Sequence, residues 1–154
     1  MIERKCIILP FLLLVLVMVL ISGCTTPIES NGNAVQNASI PNERVEIYHF
    51  HMTQQCYSCK TVGAYAEETI NTFFAAEVAT GKVVFAHVNV ELPENKELVE
   101  RYGATGSSLW IGVYDENGFH KEQNINVWYK IKDQNEYMTY LKEVVDKRLA
   151  GDFS

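Results

Sequence analysis

The chain has 154 residues, 21% of them charged, and a formal net charge of -6 at pH 7. Once a leader and a linker are set aside, this length leaves room for one domain of about a hundred residues. The acidic residues are spread along the chain, whereas nucleic-acid binding needs a basic face, so nucleic acid is excluded as a partner. We therefore expect a single domain to carry the function.

Residues 1–24 have the pattern of an export segment. Arg4 and Lys5 precede an uncharged apolar run from Ile7 to Ile21. The residues that follow end in Ser-Gly-Cys24 and resemble a lipobox, in which a peptidase cuts before the cysteine that receives the lipid. The alternative is an uncleaved membrane anchor. Both interpretations predict an extracytoplasmic protein attached to the cell membrane, by a lipid on Cys24 or by an N-terminal anchor.

Residues 25–42 are predominantly polar and contain prolines, a glycine and several asparagines without periodicity. Such a composition is typical of a flexible linker. We predict that the folded domain follows at residues 43–150.

The first elements of this domain are a strand and a long helix. Arg44 to His51 has the β-branched and aromatic content of a strand, with Val45, Ile47, His49 and His51 on one face. From near Cys59, apolar residues recur at helical spacing as far as Phe73, and Gly81 stands at a suitable C-terminal stop. This spacing predicts a helix of about five turns with Phe73 in the core.

The remaining pattern predicts three strands and two helices. In chain order they are a strand at Lys82–Val90, a helix at Glu94–Tyr102, strands at Leu109–Tyr114 and Phe119–Val127, and a helix at Glu136–Leu149. An Asn-Gly pair at 117–118 predicts a hairpin turn between the last two strands. The element order is βαβαββα.

The cysteines carry the chemistry. Cys6 lies in the leader and Cys24 at the predicted cleavage site, so the domain keeps only Cys56 and Cys59, a C-x-x-C pair. The pair lies where the first strand ends and the long helix begins, near the positive end of the helix dipole. This environment favours a thiolate, the attacking species in disulfide exchange. We predict that Cys56 attacks and that Cys59, the less exposed sulfur, resolves the mixed disulfide.

A strand followed by C-x-x-C at a helix start and then αβαββα resembles the thioredoxin fold, over about Arg44 to Leu149. The expected fold class is therefore α/β, with a central mixed four-stranded sheet flanked by helices. The resemblance implies a thiol–disulfide oxidoreductase without a cofactor that acts on a protein thiol or disulfide partner. It also implies a substrate groove beside the cysteines, and the candidate groove residues are Tyr57, Ser58, Ser107 and Ser108.

Two departures from thioredoxins argue against a general-purpose reductase. Thioredoxins have a cis-proline before the third strand, where this chain has Ser108, and the chain contains no proline after Pro93. Thioredoxins also have a buried acid six residues before the first cysteine, where this chain has Phe50. A specific partner is therefore expected.

The sequence also resembles thioredoxin-like proteins described as nitrophenyl compound nitroreductase subunits of the ArsF type. The matching residues are Tyr48 to His51, Thr53 ahead of the Cys56–Lys60 segment, Val88 to Val90, Pro93 to Asn95, and Trp128. This resemblance implies an electron-transfer or accessory role beside a larger oxidoreductase.

Other interpretations of the cysteine pair stay open. A structural disulfide is one, although a four-residue loop constrains the unfolded chain by only roughly 2 kcal/mol, against roughly 3 kcal/mol for fifteen residues. A copper or zinc site is another, with Cys56, Cys59, His49 and His51 as the ligands. A non-catalytic accessory subunit is a third. His87 is interpreted as an interior or edge histidine rather than as a ligand.

Overall fold

A computed structural model describes residues 43–154. They lie within one compact unit, Ala38–Ser154. Every strand of the sheet and both hydrophobic clusters described below lie inside this unit. The unit therefore contains the contacts that stabilise its fold and is expected to fold on its own.

Four strands form one mixed sheet. They are β1 (Arg44–His51), β2 (Val83–Asn89), β3 (Ser108–Asp115) and β4 (Gly118–Gln123), arranged in the order β2-β1-β3-β4. β1 pairs in parallel with β2 and antiparallel with β3, and β3 pairs antiparallel with β4. β1 is central, and its apolar and aromatic residues are buried on both faces, as expected for a strand covered on both sides.

The long helix predicted after β1 is in fact two helices. α1 spans Tyr57–Phe73 and α2 spans Ala75–Ala79. Phe74, between them, leaves the helical conformation at φ -127° and is buried, whereas Phe73 is 43% exposed. The prediction that Phe73 is a core residue was therefore wrong by one position. The break turns the Phe74 ring into the core in its place.

The other elements agree with the predictions except at their ends. A 3-10 turn at Pro93–Asn95 leads into α3 (Lys96–Tyr102), and α4 spans Gln134–Leu149 with the Asp133 side chain accepting from the Glu136 N–H as its N-cap. β4 ends at Gln123, four residues before the predicted end, and a second 3-10 turn follows at Asn126–Tyr129. Asn124 is the first residue beyond β4, and its N–H donates to the carbonyl of Leu109.

The two faces of the sheet have separate cores. On one face, Val45, Ile47 and β3 residues pack against α1 and α4 through Val62, Ile70 and Leu141. The opposite face packs Tyr48, Phe50 and Val88 against Tyr102 and Ala104, at the end of α3 and beyond it. Apart from the division of the first helix into two, the element order is βαβαββα as predicted. This order, the mixed four-stranded sheet and the helices on both faces confirm the predicted thioredoxin-like fold.

The second core contains a buried ion pair. Glu46 is 4% exposed and accepts hydrogen bonds from the Tyr102 hydroxyl at 2.7 Å and from Arg44 Nε at 2.9 Å. Burial and the hydrogen bond to the Glu46 carboxylate raise the pKa of Tyr102 far above its ordinary value. A Cβ at Gly112 would overlap the Tyr102 hydroxyl, so a glycine is required where this ring crosses β3.

Candidate functional site

Cys56 and Cys59 form a disulfide at the start of α1, with their Cα atoms 5.1 Å apart. Cys56 is the N-cap residue and has an extended backbone, and its Sγ accepts from the Cys59 N–H at 3.1 Å. The first turn of α1 carries no acidic side chain, whose negative charge would repel a thiolate on Cys56. Negative charge on Cys56 is therefore favoured by both the free N–H groups and the dipole at this helix end.

The two sulfurs differ in access to solvent. Cys56 is exposed, whereas Cys59, one turn into α1, is half-buried. Beside them, Tyr57 is 83% exposed and Ser58 is half-buried. A partner can reach Cys56 directly, while Cys59 is placed to react only within the molecule.

The predicted groove residues Ser107 and Ser108 lie at the same end of the sheet. Ser108 begins β3 and pairs with Phe50 near the end of β1, which leads into the Cys56 loop. Ser108 is buried, and its hydroxyl donates to the Gly106 carbonyl and accepts from Trp110 Nε1. Among residues 43–154 every peptide bond is trans, including the one before Ser108. The Ser108 hydroxyl therefore holds the loop that leads into β3 in place.

A shallow pocket of about 110 Å³ adjoins this loop, and Ser107, Ser108 and Trp110 are among its lining residues. Tyr57 and Ser58 do not line it. Of the four predicted groove residues, this pocket therefore brings together only Ser107 and Ser108.

A chain of three ionisable side chains lies between the sheet and α1. His49 Nδ1 is 3.0 Å from His87 Nδ1, and His87 Nε2 is 3.2 Å from Glu67 Oε2. His49 is 1% exposed, while the side chains of His87 and Glu67 are 38% and 52% exposed. The chain therefore runs from the interior to solvent. His87, interpreted from sequence as an interior or edge histidine, lies on the edge strand β2, is exposed and holds the middle position.

His49 packs directly on α1. A Cβ at Gly63 would lie 2.6 Å from His49 Cε1, so the ring fills the space that any larger residue would need. Burial, and then the charges of His87 and His51, lower the pKa of His49 from 6.5 to about 4, an effect that the backbone of Cys59 opposes. His49 is therefore neutral at pH 7. Its Nε2 is buried and is the single buried side-chain nitrogen or oxygen without a hydrogen-bond partner in the described part of the chain.

A buried ionisable side chain lies one residue before the position at which thioredoxins have their buried acid. Counting back six residues from Cys56 leads to Phe50, whose side chain lies in the core on the face away from α1. The adjacent residue, His49, faces α1 instead. Two signals in the sequence pointed to it, namely its alternation with Val45 and Ile47 and the glycine four residues after Cys59.

The proposed ligands of a metal site are not assembled. The rings of His49 and His51 are stacked with centroids 5.5 Å apart. His51 Nδ1 lies 3.0 Å from both the Met52 carbonyl and Gln55 Nε2. Within residues 43–154, no group of three or more histidine, cysteine, aspartate or glutamate side chains is arranged to hold a metal ion.

The predictions for residues 1–42, including the leader, the linker and lipidation at Cys24, lie outside the described residues. In the described range, no helix is both long and apolar enough to cross a bilayer.

No protein-family model and no curated protein matches the chain significantly. Among solved structures, a thioredoxin from Thermus thermophilus is similar at 20% identity and a TM-score of 0.44, over 68% of this chain and 75% of that one. A zinc-bound form of human ERp44 is similar at 17% identity and a TM-score of 0.45, over 70% of this chain and 30% of the other. A malarial protein is similar at 11% identity and a TM-score of 0.38, over 65% and 96% of the two chains.

Proposed function

We propose that this protein is a thiol–disulfide oxidoreductase that exchanges disulfides through Cys56 and Cys59. The observation that carries the proposal is the disulfide at the N-terminus of α1, with Cys56 exposed and Cys59 half-buried. The two cysteines have the different environments that attack and resolution require.

In the direction that oxidises the domain and reduces the partner, the Cys56 thiolate attacks a partner disulfide. One partner sulfur becomes bonded to Cys56, and the other leaves as a thiolate. Cys59 then loses its proton and attacks Cys56, which releases the second partner sulfur and closes the Cys56–Cys59 disulfide. Two electrons pass from the domain to the partner, and the reverse sequence reduces the domain's disulfide.

A purely structural role for this disulfide is the weaker explanation. The bond joins two residues in a single turn, and hydrogen bonds already fix that turn, from the Cys59 N–H to Cys56 Sγ and from the Lys60 N–H to the Cys56 carbonyl. A disulfide stabilises mainly by closing a loop in the unfolded chain, and the loop here is short.

The location and the partner form part of the same proposal. We propose that the domain works outside the cytoplasm, attached to the membrane through a lipid on Cys24 or through an uncleaved N-terminal anchor. The partner is a protein carrying a thiol or disulfide. A larger oxidoreductase is the partner that the resemblance to ArsF-type subunits implies.

Two matched variants of residues 38–154 test the proposal. Cys56→Ser keeps a favourable N-cap residue, so the helix start is retained. Reduced Cys59→Ser, mixed with glutathione disulfide, should accumulate a stable adduct on Cys56, detected by mass spectrometry, because no resolving thiol remains. Reduced Cys56→Ser should react much more slowly, since Cys59 is half-buried. Equal reactivity of the two variants, or none in either, would contradict the proposal.

A further inference from the structure

The short helix α2 reverses the usual distribution of polar and apolar residues. Its sequence is AAEVA, and none of its residues is buried. The three alanines and Val78 are exposed, whereas Glu77 is half-buried. A helix on a protein surface normally buries its apolar residues and exposes its charged ones. The outer surface of α2 is therefore apolar.

Phe73 extends this apolar surface. It is the last residue of α1 and is 43% exposed, while Val78 is 42% exposed. We call the exposed apolar residues at the junction of the two helices the α1–α2 corner; they are Phe73, Ala75, Ala76, Val78 and Ala79. Exposed apolar residues that are clustered rather than scattered mark a surface that contacts a membrane or another molecule.

Two lysines border the α1–α2 corner. Lys142 of α4 has its Nζ 5.9 Å from the centre of the Phe73 ring, and Lys82 is exposed three residues after α2. Helices in a membrane interface combine apolar side chains with bordering lysines, whose ammonium groups reach the lipid headgroups. Protein–protein interfaces, by contrast, are depleted in both alanine and lysine. The composition of the corner therefore favours a lipid surface as its partner.

The charges around the corner nearly balance. Lys142 Nζ lies 2.6 Å from Asp146 Oδ2, and Lys82 lines a pocket together with Glu43 and Glu77. Attraction to anionic lipids is therefore not the basis of the contact. Burial of apolar side chains is the basis, so a zwitterionic bilayer should be sufficient.

The chain enters the domain beside the same corner. The Val45 N–H, at the start of β1, donates to the Lys82 carbonyl at 2.8 Å. Glu43, Glu77 and Lys82 line one pocket of about 520 Å³. The proposed membrane attachment lies before residue 43, so this point of entry keeps the corner near the bilayer. Such a tether raises the effective concentration of the corner at the lipid surface, so a weak contact is sufficient.

The disulfide lies at the other end of the sheet. β1 has 8 residues, from Arg44 to His51, and Cys56 follows its far end. At about 3.3 Å per residue, β1 alone separates the two ends by about 25 Å. A domain that contacts the bilayer through the α1–α2 corner has Cys56 in the aqueous phase.

We propose that the α1–α2 corner lies in the headgroup region of the membrane and orients the domain with its disulfide away from the bilayer. This inference rests on the membrane attachment that is part of the proposed function. The lipid or the N-terminal anchor supplies most of the binding, and the side chains of Phe73 and Val78 fix the orientation. The partner's thiol or disulfide then meets Cys56 in a part of the partner that stands clear of the bilayer.

The test uses the full chain reconstituted into phosphatidylcholine vesicles, with and without brominated acyl chains, which quench tryptophan only at close range. Val78→Trp places the probe in the corner, and wild type supplies the emission of the two native tryptophans. Ile125→Trp is the matched control. Ile125 is 55% exposed and follows Asn124, whose N–H donates to the carbonyl of Leu109 near the disulfide end of the sheet.

Brominated lipid should quench most of the emission that Val78→Trp adds to wild type, and little of the emission that Ile125→Trp adds. Phe73→Asp in the Val78→Trp background should reduce the quenching, because the charge favours water over the headgroup region. Ala64→Asp adds the same charge at an exposed position in the middle of α1 and should leave the quenching unchanged. Every variant should float with the vesicles and keep the reaction of Cys56 with glutathione disulfide.

The outcomes separate this inference from the proposed function. Protein that floats with the vesicles without quenching of Val78→Trp, or with equal quenching of Ile125→Trp, would overturn the orientation and leave attachment and disulfide exchange standing. Protein that does not float would overturn both the membrane location and the orientation. Disulfide exchange is tested separately by the two cysteine variants.

A contact between copies of the chain is the remaining outcome. The emission of Val78→Trp would then shift to shorter wavelength as the protein concentration rises in the absence of vesicles. That result would identify the α1–α2 corner as a protein interface and would overturn its assignment to a lipid surface.

Discussion

Acidification should destabilise the oxidised domain through His49. The neutral ring is held in the interior, packed on Gly63 and 1% exposed, and protonation would place a charge there. The unfolded chain has no such restriction, so it binds the proton at a higher pH than the folded domain does. Lowering the pH therefore favours the unfolded state.

The pKa values set the pH range and the size of this effect. The pKa of His49 falls from 6.5 to about 4 in the folded domain, first because of burial and then because of the charges of His87 and His51. Each pKa unit corresponds to about 1.4 kcal/mol, so the full effect is at most about 3–4 kcal/mol. The loss should develop as the pH falls from about 6.5 to about 4 and should level off below that.

Urea unfolding of oxidised residues 38–154 at a series of pH values measures the effect, with tryptophan fluorescence as the signal. His49→Leu removes the titrating group and the unpartnered nitrogen together. Carboxylates contribute to the pH dependence of both proteins, so the quantity to compare is the difference between wild type and variant. That difference in unfolding free energy should shift by about 3 kcal/mol in favour of the variant between about pH 6.5 and about pH 4.

The same comparison can refute the reasoning. If wild type and His49→Leu lose stability in parallel, His49 is not held neutral by the fold. His120→Leu is the matched control, since the side chain of His120 is 45% exposed. A change of slope in that control would show that histidine removal in general, rather than burial of His49, is responsible.

Three stability predictions follow from the packing, each measured by urea unfolding at about pH 7. Gly63→Ala should destabilise the domain by about 1–3 kcal/mol despite the helix preference for alanine, because its Cβ would overlap the His49 ring. In a His49→Leu background this cost should be smaller. Gly106→Ala is the control and should have no cost, because nothing lies within contact distance of a Cβ at Gly106. Tyr102→Phe should cost about 1–3 kcal/mol, because the buried Glu46 carboxylate loses a hydrogen bond, and a neutral result would show that Arg44 alone suffices. Asp133→Ala should cost about 1 kcal/mol by removing the N-cap of α4, and an unchanged midpoint would contradict that role.

Local sequence patterns determined most of the architecture. The β-branched and aromatic run of Arg44–His51 predicted the bounds of β1 correctly, and the Asn-Gly pair located the β3–β4 turn, where Gly118 has φ 117°. The placement of Cys56 at a helix start came from the change of period after β1. These features depend on residues that are close in sequence, so they can be predicted without knowledge of the tertiary structure.

Tertiary contacts determined what the sequence pattern missed. Phe73 and Phe74 are equally apolar, and only the packing of the core selects Phe74 and ends α1 there. The predicted extension of β4 to Val127 failed because the chain forms a 3-10 turn at Asn126–Tyr129, just after Asn124 makes a last hydrogen bond to β3. Neither choice has a signature in the local period of hydrophobic residues.

The candidate site was predicted only in part. Cys56 and Cys59 were identified from their spacing and position. The link between His49 and His87 joins residues 38 positions apart, and the contact of His87 with Glu67 depends on how α1 crosses the sheet. Long-range contacts of this kind follow from the assembled sheet and cannot be derived from the spacing of residues in one strand.

The most direct test of disulfide exchange is an equilibrium redox titration of residues 38–154 in glutathione and dithiothreitol buffers, with bound metal assayed on the same sample. We predict a reversible, metal-free two-electron transition between roughly -270 and -120 mV, the range of dedicated oxidoreductases. A pair that stays oxidised well below about -300 mV would indicate a structural disulfide. Stoichiometric metal bound to the reduced protein would indicate a metal site, and either result would contradict the proposed function.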